Sequence, residues 1–250
     1  MPGHGVVVAL EGLSGSGKSA VAARAAARGG GVPLAEAWTR LEPRPDLHVR
    51  SPRSIERLER TLLSEECRRW NAARARADAG ELVIADTGFL GPLTYTAGLV
   101  VLREAPLDVL RRLVSETRRR AARGEWGLPD LVVLLATSPA VRRRRVASDP
   151  VGHPPSLAAR HESVGRVEEE LYRRAIAPAL RHRWAEVDGN RGVDPVVRSV
   201  LRYAGRIAPR PPRDRSALAL LDRLSPPEVR TTAAPATVKK GPLTRGAPRR

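Results

Sequence analysis

Cysteine, aromatic residues and long apolar runs are scarce in this sequence. Cys67 is the only cysteine among 250 residues, which excludes an internal disulfide and a cysteine-bound metal cluster and favours a reducing compartment. Phe, Trp and Tyr make up 3% of the chain, which argues against aromatic platforms for single-stranded nucleic acid. No run approaches the roughly 18 apolar residues of a membrane span, and no secretion signal is recognisable. We therefore expect a cytoplasmic protein with no membrane partner.

Lysine is almost absent, although the chain is strongly basic. The formal net charge is +17, and arginine supplies nearly all of it, since lysine occurs only at positions 18, 239 and 240. About half of the excess lies in residues 206–250, which hold eleven Lys/Arg against three Asp/Glu and are rich in proline. This composition predicts a mostly disordered basic tail after one domain of residues 1–205. Contact of the tail with nucleic acid stays open, and so does a homodimer.

The stretch from Gly5 to Ala20 organises the rest of the sequence. The apolar run Val6 to Leu10 is typical of a strand buried in a parallel sheet. The letters GLSGSGKS follow at residues 12–19 and fit the phosphate-binding pattern G-x-x-x-x-G-K-[ST]. Glycines let the loop backbone adopt positive φ and approach a polyphosphate, and the next helix adds its N-terminal dipole. We therefore predict that ATP phosphates contact Gly12, Leu13, Ser14, Gly15, Ser16, Gly17, Lys18, Ser19 and Ala20.

Further apolar segments predict the sheet. Runs at residues 32–38, 81–86, 131–135 and 183–187 follow the first strand, and helix-like segments separate them. This alternation is typical of a three-layer α/β fold, here a five-stranded parallel sheet with helices on both faces. Asp86 ends the third strand. Because ligands bind at the carboxyl ends of parallel strands, we expect Asp86 to hold Mg²⁺ together with Ser19.

The order of these segments resembles that of the thymidylate kinases and, more broadly, of the nucleoside and nucleotide kinases of the P-loop class. The resemblance spans residues 5–203. It rests on Glu11-Gly12 before the loop, TRLEP at 39–43, the third strand, YTAG at 95–98, and the fourth strand followed by Arg142 and Arg145. It implies a P-loop kinase fold, ATP with Mg²⁺ as the cofactors, and a lid at about residues 146–163.

The resemblance also implies roles for individual side chains. The catalytic residues would be Lys18, Asp86, Arg142 and Arg145, of which the cations neutralise phosphate charge. The residues lining the acceptor cleft would be Glu11, Arg40, Arg69, Thr87, Phe89 and Tyr95. Two positions differ from the family pattern, since Ser14 replaces an acidic residue and Thr87 replaces an arginine. Both positions handle the acceptor monophosphate in that family.

Three functional hypotheses follow from these residues. The first is an ATP-dependent phosphotransferase that acts on a nucleotide or nucleoside. The second is a kinase of the same fold for another small hydroxyl compound, which would benefit from a carboxylate base such as Glu11 or Asp86. The third is an ATP-binding regulatory or nucleic-acid-associated protein whose basic tail contacts phosphate backbones.

Overall fold

The computed structural model describes residues 5–47, 49–147, 155–208 and 216–224, with side chains described from residue 159 in the third range and from 217 in the fourth. Within these residues the strands are β1 (Val7–Glu11), β2 (Val32–Leu34), β3 (Val83–Asp86), β4 (Leu131–Ala136) and β5 (Trp184–Asp188). They form a parallel sheet in the order β2-β3-β1-β4-β5. The predicted five-stranded parallel sheet is confirmed, although β2 is shorter than the sequence suggests because the chain turns into a 3₁₀ helix at Ala37–Arg40.

Helices flank this sheet on both faces. In the described residues they are α1 (Lys18–Gly29), α2 (Pro52–Asp78), α3 (Gly91–Val101), α4 (Leu107–Ala122), α5 (Pro139–Ala147), α6 (Pro155–Leu171), α7 (Ala177–Leu180), α8 (Val193–Ala204) and α9 (Ser216–Arg223), with a π-helical turn at Tyr172–Ile176 between α6 and α7. Helix α2 begins as predicted, since the Ser51 hydroxyl accepts a hydrogen bond from the Ser54 amide at 3.1 Å. Among the helices of the described ranges, none has both the length and the hydropathy needed to cross a membrane.

Two apolar cores lie on the two faces of the sheet. Strand β1 is fully buried, and its alternate side chains point into different cores, Val8 and Leu10 into one and Val7 and Ala9 into the other. Helices α1 and α8 cover the first face, while α2, α3 and α4 cover the second. The central strand is thus shielded on both sides, and only its carboxyl end is left to meet a ligand.

Helix α9 extends the packed part of the chain beyond residue 205. Ala217, Leu220 and Leu221 of this helix, and Leu224 just after it, are buried in the same core as α4. The apolar face of this short helix is therefore used for packing. Residues 209–215 and 225–250, which carry most of the predicted disordered tail, lie outside the described residues.

Candidate active site

A cavity of about 910 Å³ opens at the carboxyl ends of β1 and β3. The sheet register places Leu10 beside Asp86 and Glu11 beside Leu134, so these strands end at the same level. The loop between β1 and α1 lines the cavity together with residues of α2, α3 and α6. Asp86 and Ser19, which the sequence assigns to a common site, both line this cavity.

The loop at residues 12–17 has the backbone that the glycine pattern predicts. Gly12, Gly15 and Gly17 have φ values of 139°, 76° and 94°, which side-chain-bearing residues rarely adopt. A Cβ atom at Gly15 would also lie 2.8 Å from a methyl group of Val146. Lys18 opens α1, and its Nζ atom donates to the Gly12 carbonyl at 2.8 Å, above the loop. The loop therefore presents amides, a helix N-terminus and an ammonium group to one end of the cavity.

The predicted phosphate-binding residues reach the cavity with one exception. Ser16 is 2% exposed and is not among the described residues that line it. Its amide donates to the Leu13 carbonyl at 3.0 Å, which closes a turn inside the loop. Ser16 therefore shapes the loop from beneath. The residues that do line the cavity are Gly12, Leu13, Ser14, Gly15, Gly17, Lys18, Ser19 and Ala20.

The residues predicted to hold Mg²⁺ fit that ion chemically. Asp86 Oδ1 is buried and has no hydrogen-bond partner among the described residues, and the Ser19 side chain lines the same cavity. Carboxylate and hydroxyl oxygens, with waters and phosphate oxygens in the other positions, are the usual ligands of Mg²⁺. The part of the chain that is described holds no group of three or more His, Cys, Asp or Glu side chains suited to a metal. The donor set therefore suits a nucleotide-bound Mg²⁺ better than a resident metal held by protein alone.

Carboxyl groups are frequent in the part of the cavity that is lined by Glu11, Glu36 and residues of α2, α3 and α6, here called the acceptor end. Burial raises the pKa of Glu11 to about 8 and the pKa values of Glu66 and Glu168 to about 7, and it raises the pKa of Glu59 well above its ordinary value. The positive charge of Arg69 partly lowers the pKa of Glu66 again. The Thr94 hydroxyl donates to Glu168 at 2.8 Å and has the same effect on the pKa of Glu168. Much of this acidic surface therefore carries protons near neutral pH.

Glu11 illustrates how closely these groups are packed. Its carboxyl lies against Gly88, where a Cβ atom would be 2.0 Å from Glu11 Oε1, so a side chain at that position would displace the carboxyl group. The Tyr172 hydroxyl faces Glu11 and lowers its pKa, but burial has the larger effect. A carboxyl group with a pKa of about 8 is mostly protonated at neutral pH. Glu11 lines the cavity as predicted, but it is a poor general base there.

The structure corrects three of the six acceptor residues. Phe89 is 1% exposed and packs edge-on against Trp70 at 5.5 Å between ring centroids, so it belongs to the core. Arg69 is fully buried, is paired with Glu66, and donates to the carbonyls of Asp86 and Thr87 at 3.0 and 3.1 Å. Arg40 is paired with Glu65 at 2.7 Å outside the cavity. Glu11, Thr87 and Tyr95 do line the cavity.

The two predicted catalytic arginines differ in position. Arg142 is 4% exposed and outside the cavity lining, and it joins the Thr137 carbonyl to the Glu162 carboxylate, both at 2.6 Å. The prediction that it reaches phosphate is therefore corrected. Arg145 lines the cavity and donates to the Ser16 carbonyl at 2.8 Å, so it steadies the phosphate loop. Residues 148–154 of the predicted lid lie outside the described residues.

Sequence reasoning missed five cavity carboxylates, Glu36, Glu59, Glu66, Glu168 and Glu169. Glu36 lies just beyond the carboxyl end of β2, and Asp86 is the last residue of β3, so a position at the carboxyl end of a strand was a usable signal. Glu59 and Glu66 lie on α2 with Ile55 and Leu62 at helical spacing, and all four line the cavity. Carboxylates on an otherwise apolar helix face were therefore the second signal. Glu168 on α6 has no such local signature.

The raised pKa values predict a pH-dependent stability for the protein without ligands. The groups concerned are Glu11, Glu59, Glu66 and Glu168, whose ordinary pKa is 4.5. Between about pH 4.5 and 8 the folded state binds more protons than the unfolded state. The free energy of unfolding should therefore fall as pH rises through this window, by up to about 1.4 kcal/mol per pH unit for each titrating group.

Urea unfolding measured from pH 5 to 8.5 checks this prediction. Glu168→Gln should reduce the slope, because it removes one of the groups, whereas Glu81→Gln on the surface should not. A stability that is flat or that rises across the window would contradict the pKa shifts.

Comparison with known proteins adds information about the fold. The sequence matches no protein-family model and no curated protein. Among solved structures, deoxyadenosine kinase from M. mycoides with bound dATP is similar, with a TM-score of 0.57 and 16% identity over 80% of this chain and 99% of that chain. The same enzyme with dCMP and dCDP gives 0.56 at 15% identity, and with dCTP 0.53 at 14%, each over 80% of this chain and 100% of the other. This likeness shows that the chain has the three-layer fold of P-loop kinases.

Proposed function

We propose that this protein is an ATP-dependent kinase that transfers the γ-phosphate to a hydroxyl group of a small molecule, with nucleosides as the leading acceptor class. One observation carries the proposal. A single cavity is lined both by a glycine-rich phosphate loop with Lys18 and by a group of carboxyl side chains. The fold shared with a deoxyadenosine kinase supports the same assignment. The thymidylate kinase-like alternative, in which the acceptor is a monophosphate, fits the cavity less well.

The charges at the acceptor end disfavour a monophosphate. Binding an acceptor phosphate requires cations or backbone amides that face it. In the described part of this end the cationic side chains are Arg44 and Arg160, and Arg160 is already paired with Glu104 at 2.6 Å. Arg40 and Arg69, which the sequence assigned to the acceptor, are paired with glutamates and lie outside the lining. A hydroxyl acceptor needs no such cations.

The donor side follows from the loop. Lys18 and the loop amides other than that of Ser16 bind the β- and γ-phosphates, and Asp86 with Ser19 would hold Mg²⁺, which would neutralise phosphate charge when bound. Arg145 keeps the loop in place through the Ser16 carbonyl. Arg69 fixes the backbone at Asp86 and Thr87 and so orients the metal-binding carboxylate.

Glu36 is the best-placed general base for a hydroxyl acceptor. It lies after β2, lines the cavity and is partly exposed. The Trp38 indole N–H donates to Glu36 Oε2 at 2.9 Å, which orients the carboxylate and leaves Oε1 for the acceptor. In this role Glu36 accepts the hydroxyl proton as the oxygen attacks phosphorus.

A panel of nucleosides and their 5′-monophosphates, assayed with ATP and Mg²⁺, tests the proposal. We expect acceptor-dependent ADP release with hydroxyl compounds and formation of a phosphate monoester, identified by ³¹P NMR. Turnover confined to monophosphates would instead favour the thymidylate kinase-like alternative. Failure to bind ATP at millimolar concentration with Mg²⁺ present would overturn the kinase assignment itself.

A further inference from the structure

The acceptor end of the cavity is acidic in a protein whose net charge is +17. Its carboxyl groups are those of Glu11, Glu36, Glu59, Glu66 and Glu168. They come from four elements distant in the sequence, namely β1, the segment after β2, α2 and α6. Acidic side chains thus cluster here although the chain as a whole is basic. Burying several carboxyl groups together is unfavourable unless a ligand or partner compensates them.

The cations near these groups offset only part of this charge. Glu66 is paired with Arg69, which is buried behind it. Lys18 acts on both Glu11 and Glu168, but its ammonium group already donates to the phosphate loop at 2.8 Å. Arg160 is held by Glu104 and by the Val49 carbonyl at 2.9 Å. The carboxyl groups that no cation holds line the cavity, and burial keeps much of this set protonated near neutral pH.

Glu59 has the least satisfied carboxyl group of this set. The residue is 2% exposed, and its Oε2 atom has no hydrogen-bond partner among the described residues. It nevertheless lines the cavity, as does Glu168, whose charge acts on it. A buried carboxyl without a partner loses the energy of at least one hydrogen bond, so a donor on the bound acceptor is the natural complement.

We propose that the acceptor carries a protonated amine in addition to the hydroxyl that receives the phosphate, and that Glu59 and Glu168 bind this amine. The inference rests on the proposed function and names its acceptor class, an amino sugar or an aminonucleoside. An ammonium group donates three hydrogen bonds and stabilises the ionised form of these carboxyl groups, whereas a neutral polyol brings no positive charge that would do so. The acidic surface thus selects cationic acceptors and repels anionic ones.

Proton linkage distinguishes an amine from a neutral ligand. Other charged and titratable groups line the same cavity and come from every element around it. They are Glu11, Lys18, Glu36, Arg44, Glu66, Asp86, Tyr95, Arg145, Arg160, His161, Glu169 and Tyr172. Binding of a cation ionises the carboxyl groups that hold protons near neutral pH. Protons are therefore released to the buffer, and affinity for the amine rises with pH until the amine itself deprotonates.

Isothermal titration calorimetry with matched probes tests the proposal. The pairs are 3′-amino-3′-deoxyadenosine against adenosine, and glucosamine against N-acetylglucosamine, titrated at pH 7 in two buffers of different ionisation enthalpy. We expect at least one amine to bind about tenfold or more tightly than its neutral partner, with release of protons. Glu59→Gln and Glu168→Gln should each reduce this preference severalfold, while Glu56→Gln, on the outward face of α2, should leave it unchanged.

The outcomes separate this inference from the kinase proposal. Equal or tighter binding of both neutral members, no binding of either amine, or a preference that survives in Glu59→Gln and Glu168→Gln would overturn the amine assignment. Phosphorylation of neutral hydroxyl compounds with no preference for amines would do the same and leave the kinase intact. If the unaltered protein did not bind ATP, the kinase proposal itself would be overturned. Thermal unfolding of each variant establishes that it is folded.

Discussion

Replacing Lys18 by methionine is expected to lower kcat/KM by about 10³-fold or more with any accepted substrate. Methionine keeps the length and apolar body of the side chain but removes the only lysine in the body of the chain, residues 1–205. The positive charge that follows the γ-phosphate through the transition state is then lost. Steady-state kinetics with ATP, together with ATP binding by calorimetry, measure the effect on catalysis and on the ground state.

Arg28→Met is the matched control for this variant. Arg28 lies on the same helix, α1, but in its last turn and exposed to solvent, so the change removes one positive charge from the same element. Its activity should stay within about twofold of the unaltered protein. If Lys18→Met retained most of its activity while Arg28→Met did not, the phosphate loop would have no catalytic part and the proposed function would fail.

Glu36→Gln is expected to lower kcat by about 10²-fold to 10⁴-fold with little change in KM. Glutamine keeps the oxygen that accepts the Trp38 indole hydrogen bond at 2.9 Å, so the local fold is retained, but it cannot accept the proton of the acceptor hydroxyl. Because proton transfer belongs to the chemical step, the loss should fall on kcat, and separate values of kcat and KM identify the role better than a single rate.

Glu42→Gln provides the comparison for Glu36. It changes an exposed carboxylate in the same connection after β2, outside the residues that line the cavity. We expect no effect on kcat. Should Glu36→Gln lower kcat only a fewfold, the base would have to be sought elsewhere in the cavity, with Asp86 as the next candidate.

Short-range patterns in the sequence predict most of the fold. Continuous apolar runs predict the three central strands β1, β3 and β4, because a strand buried on both faces has no polar side to show. Ser51-Pro52 predicts the start of α2 for an equally local reason, since the cap forms between residues three positions apart. The less accurate boundaries are those of β2, an edge strand of three residues with few neighbours to define it.

Local sequence patterns predict only the phosphate-binding half of the site. The phosphate loop is contiguous, so Gly12 to Ser19 are recognisable without knowledge of the rest of the chain. The acceptor end is assembled from residues far apart. Phe89 and Arg69, whose residue types suggest base stacking and phosphate binding, are turned into the core by Trp70 and Glu66, and nothing in the local sequence indicates those contacts.

The sequence by itself determined the parallel sheet, the phosphate loop with its lysine, and the carboxylate at the end of β3, because each depends on neighbours within a few residues or on the period of one element. Only the tertiary structure decided which side chains face the acceptor. The packing of α2 and α6 brings Glu59 and Glu168 to one cavity although they are separated by more than one hundred positions in the chain. Burial then sets their protonation, and burial is a property of the whole packed molecule.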